Sequence, residues 1–448
     1  MSMKPKDVAK QALQYAMKAG AAEAEAFLQT NRELNVNVRD GRVESVKQAD
    51  NRGLGLRVMT DGKMALVYTS DFRPEAMQTL AERAVALARQ SQPDPANVFA
   101  VRDGAPVAKL DLHDPAVAAL APDALIARAI EAEKVARAAD ARVTATQGAS
   151  AGRADGETWI VNTRGVEWNF PETAVFQFLG VLAADEGGKQ RSGREGSQQR
   201  YLADLMSPEE IGKEAAKNAA RMVGAKKAPT QRLPVVMHRD VVSNWLGNMF
   251  SAFSGEQAFK KASYLADKLG AEISSPLITM VDDPTRKRAL GGAPCDDEGV
   301  PAQKVVLLDK GVVKNFVYNL RWANKASAKS TGHAARGYSS MPGISAHSLY
   351  MENGATPVEA MIKSLDRGFY LTNTGAFGYD PATGGWSYQA SGLMIEKGEL
   401  TYPVTDISLA SDTLTMLKSM QQVGNDLVFD GGTNAPSLLI AEMALSGT

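Results

Sequence analysis

Apolar residues recur three and four places apart at the start of the chain: Val8, Ala12, Leu13, Ala16 and Met17 share one helical face, and Gly20 is placed to stop that helix. The period then shortens to two. Alternation in residues 33–46 flanks Asp40-Gly41, and alternation from Leu54 to Tyr68 flanks Asp61-Gly62, a dipeptide whose positive φ suits hairpin turns. Two hairpins are expected, then a helix from about Pro74 to Arg89 that buries Met77, Leu80, Ala81, Ala84 and Ala88. Residues 92–122 are rich in Pro, Asp and Ala without a clear period and read as a surface loop. An Ala-rich helix carrying Ile126 and Ile130 starts near Asp123, and strand-like runs follow around Val143, at Trp159 to Asn162 and at Ala174 to Leu182. The polar insert 186–194 reads as mobile. Ser207-Pro208-Glu209-Glu210 forms a capping box with Pro at the first helical position, and Gly224 closes that helix.

The pattern breaks at residues 225–231, which read as a linker between an amino-terminal α+β domain (1–224) and a carboxyl-terminal α+β domain (232–448). A chain of 448 residues exceeds the size at which one core stops growing, so two domains are expected. The second opens with a strand, 232–237, and a helix from about Asp240 to Phe253. Strands are expected near Leu277 to Val281, Gln303 to Leu308 and Val312 to Tyr318, the last after a Lys310-Gly311 turn, with a helical segment at Trp322 to Lys329. Thr356-Pro357-Val358-Glu359 reads as a second capping box, opening a helix to about Asp366, and Gly-rich turns then alternate with strands. The fold class is α+β, with mixed or antiparallel sheets packed by helices in both domains.

Composition narrows the function classes. The 50 Lys and Arg nearly cancel the 51 Asp and Glu, which excludes the clustered positive charge of a broad nucleic-acid footprint. No apolar run reaches membrane-spanning length and no secretory h-region follows the amino terminus, so no membrane partner and a cytoplasmic location are expected. Cys295 is the single cysteine, which rules out an intrachain disulfide and a thiolate-rich metal site.

The remaining motifs are sparse. Gly148-Ala149-Ser150-Ala151-Gly152 has the spacing of a nucleophile elbow, but the continuation Arg153-Ala154-Asp155-Gly156 reads as a turn where that motif needs a helix, so a strand end is expected. Gly53 and Gly55 read as permissive residues of a strand. His113, His238, His333 and His347 lack the i, i+4 spacing that lets one helical face grip zinc. Asp282, Asp283, Asp296, Asp297 and Glu298 offer oxygen ligands for a hard cation, although adjacent carboxylates are more usually a solvated turn. Thr331-Gly332-His333 leads to Arg336, whose guanidinium is suited to a carboxylate or to helix carbonyls. Residues 373–386, including Tyr379 and Trp386, form a glycine-rich aromatic loop of the kind that lines grooves.

The order of Ser263 to Gly270, Val281-Asp282-Asp283-Pro284, Cys295 to Gly299, Thr331-Gly332, Ile395 to Gly398, Tyr402-Pro403-Val404 and Gly424-Asn425-Asp426 resembles the TldD/PmbA family, also called modulators of DNA gyrase. The resemblance covers nearly the whole chain. It implies one of two paralogous subunits of a heterodimeric cytoplasmic metallopeptidase acting on unfolded or flexible polypeptides. The TldD subunit carries His-Glu-x-x-x-His on a helix and a Cys near its carboxyl terminus; PmbA, also called TldE, lacks them. That helix laid onto this chain puts its first His at Ser243, its Glu at Asn244 and its second His at Asn248. Neither a hydroxyl nor an amide replaces an imidazole as zinc donor, and Asn244 has no lone pair basic enough to take a proton from a bound water. Residues 430–436, where the Cys would fall, contain none.

The resemblance therefore implies a PmbA/TldE-type subunit with no catalytic residues and no metal of its own, zinc being held by a TldD-like partner. His333, Arg336, Tyr379 and Trp386 are the expected substrate or partner contacts. A peptide adding to a sheet edge is the expected binding mode. Two other readings stay open: a metal-independent regulatory homodimer, and a hydrolase using the oxygen ligands at 282–283 and 296–298.

Overall fold

The computed structural model describes residues 4–102, 104, 109–375 and 378–447. Helix α1 (Pro5–Lys18) has Pro at its first position and turns Val8, Ala9, Ala12, Leu13 and Ala16 inward. Strands β1 (Glu23–Arg39), β2 (Arg42–Thr60) and β3 (Lys63–Thr69) follow. Asp40-Gly41 and Asp61-Gly62 all have positive φ, as the tight turns require. The two expected hairpins share the single 19-residue β2. Helix α2 (Pro74–Gln90) comes next, then a short α3 (Pro115–Ala118) within the expected loop, whose start Asp114 caps by accepting from the Ala116 N–H. Helix α4 (Pro122–Ala139) leads to β4 (Val143–Asn162), β5 (Glu167–Ala184) and β6 (Gln190–Gln199), and α5 (Pro208–Ala220) starts at the capping box of Ser207 and Glu210.

The six strands form one antiparallel sheet in the order β3-β2-β1-β4-β5-β6. Two expectations fail here. Most of the insert 186–194 is ordered: it begins β6, because backbone pairing with β5 and the ion pair of Arg191 with Asp185 hold residues that lack an apolar pattern. Ser150 lies in the middle of β4, opposite Asn37 and Phe178, and residues 153–156 continue the strand, where a strand end and a turn were expected; the nucleophile elbow is absent, as expected. Helices cover one face of the sheet: α1 and α2 bury Leu28, Leu54 and Leu56, and α4 and α5 bury Leu34, Val36, Leu179 and Val181.

The expected linker is pinned rather than loose: the Lys226 N–H donates to Pro403 O, and Ala228 is buried. The second half begins with β7 (Gln231–Met237) and α6 (Arg239–Met249). It continues through β8 (Met280–Asp282), β9 (Val305–Asp309), β10 (Val312–Val313), β11 (Ala334–Ala335), β12 (Gly343–Ile344) and β13 (Leu349–Met351). The remaining strands are β14 (Arg367–Thr374), β15 (Gly385–Glu396), β16 (Glu399–Asp412), β17 (Met420–Val423), β18 (Thr433–Asn434) and β19 (Leu438–Ser446). One sheet runs β16-β15-β14-β7-β19-β17, and β16 also pairs with β19, closing five strands on themselves. A second sheet runs β10-β9-β8-β13-β18. Between them lies a core in which Trp245, Met249 and Phe253 meet Met280, Leu307 and Leu409.

The strand expected over 312–318 shrinks to two residues, because the chain leaves β9 after Lys314 and Val317 bridges Ser254 instead. The second capping box does not form either: Pro357 occupies the N-cap, and Thr356 is bridged to Gly424. The class is α+β as expected, and no helix among the described residues is long and apolar enough to cross a membrane.

Candidate functional site

Strand β7 delivers the chain to α6, where His238 caps the helix by accepting at Nδ1 from the Asp240 N–H. Spacing then divides the helix. Val241, Val242, Trp245, Leu246 and Met249 are buried, while Asn244, Gly247 and Asn248 face solvent, with Ser243 half-buried beside them. The solvent face forms one wall of a cleft of about 670 Å³ whose opposite wall carries Thr374, Tyr379, Pro381, Trp386 and Tyr388. Ala376 and Phe377, inside the loop expected to line a groove, lie outside the described residues.

The cleft is held by neutral hydrogen bonds. Asn248 Nδ2 donates to the Tyr388 hydroxyl at 3.2 Å, and the hydroxyls of Tyr264 and Tyr379 lie 3.1 Å apart. Trp386 and Tyr388 stand two residues apart on β15, so both point to the same face, with ring centroids 4.8 Å apart. Burial raises the Tyr379 and Tyr388 hydroxyls above the ordinary tyrosine value, so both stay protonated donors at neutral pH. None of the lining residues carries a charge at that pH.

These residues do not fit zinc. Along α6, Ser243, Asn244 and Asn248 supply one hydroxyl and two amides, and Asn248 is engaged with Tyr388. The stretch 430–436 does lie beside the helix: a Cβ on Gly247 would sit 3.7 Å from Thr433 Oγ1, a hydroxyl where a thiolate would be needed. Among the described residues no group of three or more His, Cys, Asp or Glu is placed to hold a metal.

The acidic residues proposed as oxygen ligands are taken up by the backbone. Asp282 accepts from the N–H groups of His347 at 2.9 Å and Ser348 at 2.8 Å, and Asp296 accepts from those of Glu298, Val300 and Ala334. Asp283 accepts from Thr285, and Asp297 from the Arg336 N–H. They stitch loops together and do not converge on a cation.

His333 and Arg336 are the corrections among the expected contacts. His333 is fully buried, with Nε2 3.5 Å from Asp282 Oδ2 and its ring beside those of His347 and Phe250. The Arg336 side chain is 0 % exposed, paired with Glu25 of β1 and lying over Phe27. Glu25 also binds Arg57 at 2.9 and 3.0 Å, and Arg57 reaches Glu298 at 3.1 Å. Burial would push the Glu25 carboxyl up, but Arg336 and Arg57 outweigh it and hold it below the usual carboxylate value. This buried network joins the first sheet to the second half, out of reach of any substrate. The lone thiol lies nearby: Cys295 is buried against Phe27 and Ile160, and burial raises its pKa, which makes it a structural cysteine.

The structure thus brings Asn244, Asn248, Tyr379 and Trp386 together and leaves His333 and Arg336 elsewhere. Sequence reasoning missed Tyr388 and Tyr264. Tyr388 was detectable as the i+2 neighbour of Trp386 in an alternating strand; Tyr264, more than a hundred residues from its partner Tyr379, left no local signal.

The fold is a two-part α+β scaffold with an open cleft over α6, and that helix presents no imidazole, carboxylate or thiolate to the cleft. Three family models match successive parts of the chain: PmbA/TldA metallopeptidase domain 1 over residues 24–88, the central domain over 116–223 and the C-terminal domain over 230–447. The chain belongs to the PmbA/TldD family. One continuous six-stranded sheet spans the first two of these units. Metalloprotease PmbA of Escherichia coli O157:H7 is 28% identical over 95% of this chain and 92% of its own length. A metalloprotease TldD homolog of Haemophilus influenzae is 26% identical over 95% and 93%. The structure of TldE from Thermococcus kodakarensis superposes with a TM-score of 0.90, covering 98% of this chain and 100% of that one, at 23% identity, a likeness of fold.

Proposed function

We propose that this chain is the non-catalytic subunit of a TldD/TldE-type zinc metallopeptidase that cleaves unfolded or flexible peptides in the cytoplasm. Its partner is a TldD-like chain that carries the zinc. Overall similarity does not choose between the subunit types, because identity to the PmbA and TldD relatives is nearly equal. The observation that carries the reading is local: α6 faces an open cleft, and Ser243, Asn244, Asn248 and the neighbouring Thr433 offer it hydroxyls and amides but no imidazole, carboxylate or thiolate.

In this role the chain's work is to bind and enclose. Tyr379 and the exposed amides of Asn244 and Asn248 present neutral donors and acceptors, and the buried rings of Trp386 and Tyr388 close the wall behind them, a set suited to the backbone and uncharged side chains of a peptide. Strand addition is restricted, since the pairing of β16 with β19 leaves β10, β17, β18 and the short β11-β12 pair as the edges of the second half among the described residues.

The test is co-expression with the TldD-like protein of the same organism, followed by affinity purification on this chain and metal analysis of each subunit. One-to-one recovery with zinc in the partner only is expected. Stoichiometric zinc in this chain purified alone, or failure of the two to co-purify, contradicts the proposal.

A further inference from the structure

The amino-terminal sheet has a second surface that its helices do not touch. Side chains alternate along β1, so Leu34, Val36 and Val38 turn to the helices while Gln29, Asn31, Glu33, Asn35 and Asn37 turn to the opposite face. The lower part of that face is roofed by the second half of the chain: Phe27, Ile160, Trp168 and Phe170 pack with Cys295 and Tyr338. Tyr338 lies directly on β2, where a Cβ at Gly53 would come within 2.4 Å of its ring. Above Tyr338 the roof ends, and a groove of about 380 Å³ begins there, lined by Gln29, Asn31, Asn51, Ala154, Thr158 and Gln198.

Beyond the groove the face stays open and nearly flat. Asn35 is opposite Gly152, and a Cβ on that glycine would meet Asn35 Oδ1 at 2.4 Å and the Phe176 ring at 2.6 Å. Ser150 stands between Asn37 and Phe178, and Phe178 lies across Gly196. The small-residue motif at 148–152 therefore keeps this surface level.

We propose that this open face is a binding groove for an extended, unfolded segment of polypeptide, held through its main chain by the amide row of β1. The inference rests on the reading that the complex acts on unfolded polypeptides. Amides on alternate residues of a strand recur about every 6.7 Å, which is also the repeat of same-sided peptide groups in an extended chain. Asn and Gln each present a donor and an acceptor, as a peptide group does, and ask nothing of the ligand's sequence. Two of the amides are preset: Asn31 Nδ2 donates to Glu33 Oε1 at 2.6 Å and Asn37 Nδ2 to Ser45 Oγ at 3.0 Å, which leaves their oxygens to accept peptide N–H groups.

The groove's two arginines do not form an anion site. Arg200 is committed to Glu172, also in the lining, at 2.7 Å and to the carbonyls of Ala289 and Gly292, and Arg52 lies over the Phe72 ring at 5.1 Å. A folded partner fits poorly too, because the exposed rings of this face are split between Tyr68 on β3 and Phe178, beside Phe176, on β5, with three strands between them, and so form no contiguous apolar centre of the kind a stable protein interface needs.

The test is fluorescence anisotropy of labelled, reduced and carboxymethylated lactalbumin titrated with the full chain, without any partner. Saturable binding is expected, changed only a few-fold between about 0.05 and 0.5 M salt because the amides are neutral and Glu33, the charged member of their row, already accepts from Asn31. Ala154→Trp, which fills the groove, should weaken it about tenfold or more. The paired variant Asn35→Ala with Asn37→Ala adds no bulk, so it keeps the fold, and should weaken binding by a similar factor. Full affinity in the folded variants, equal competition by native lactalbumin, or no binding by the wild-type chain overturns the inference. Because no zinc subunit is present, these outcomes are independent of whether the two subunits co-purify.

Discussion

The cleft over α6 and the junction between the first sheet and the second half are both built from polar side chains, yet they use them in opposite ways. At the junction Glu25, Arg57, Glu298 and Arg336 are buried and paired with one another. In the cleft the groups are neutral, with exposed amides on α6 facing half-buried to buried rings, and joined by single hydrogen bonds such as that of Asn248 to Tyr388. A polar residue whose partners lie within the chain is part of the scaffold; one with spare capacity beside a cavity is free to meet a ligand.

The comparison breaks first, and most heavily, at the junction. Arg336→Met leaves Glu25 with one cation where it had two, in a dry site, and should cost about 3 to 5 kcal/mol of stability in urea unfolding. A loss under about 1 kcal/mol would mean that water reaches the network.

A smaller effect is set by pH. Burial pushes the Asp297 carboxyl up to about 6, against the opposing Arg336 N–H. A folded-state value above the unfolded one means that its contribution to stability is complete below about pH 4 and is lost as pH rises through about 6. Asp297→Asn keeps the acceptor for the Arg336 N–H and removes the titration, so the variant should gain about 2 kcal/mol on the wild type between pH 4 and 7. Glu25 acts in the other sense: held below its ordinary value, it stabilises at neutral pH and that contribution is lost as pH falls through its folded-state value. Parallel stability curves for Asp297→Asn and wild type would remove Asp297 from the account.

In the cleft the expected cost is least. Tyr388→Phe deletes one neutral hydrogen bond at a partly open site and should change stability by about 1 kcal/mol or less. The same variant should lower peptide turnover by the assembled complex, through the substrate-binding step. A large stability loss with unchanged turnover would make Tyr388 part of the scaffold and erase the contrast.

What was legible in the sequence follows the same division. Helix α6 and the Asp-Gly hairpins were readable because an apolar period or a turn dipeptide is a local signal, as was Trp386 in its aromatic loop. Arg336 was misread as a contact because its burial depends on Glu25, 311 residues away, and nothing near Arg336 announces a carboxylate. Strand β6, made of Gly, Ser, Arg, Gln and one Glu, has no apolar alternation; its form comes from pairing with β5. Thr356 had the residue types of a cap but is engaged with Gly424, an interaction that outcompetes capping. The absence of metal ligands on α6 takes on meaning only against a family motif, since Ser243, Asn244 and Asn248 are unremarkable residues for the outer face of a helix.

The most direct test of the central claim is reconstitution: cleavage of an unfolded protein such as casein by the TldD-like chain of the same organism, with and without this chain. The account predicts no cleavage by this chain alone, strong cleavage by the pair, and loss of that cleavage when the partner's zinc is chelated. Cleavage by this chain alone that stops with chelator, or full activity of the partner without it, would contradict the account.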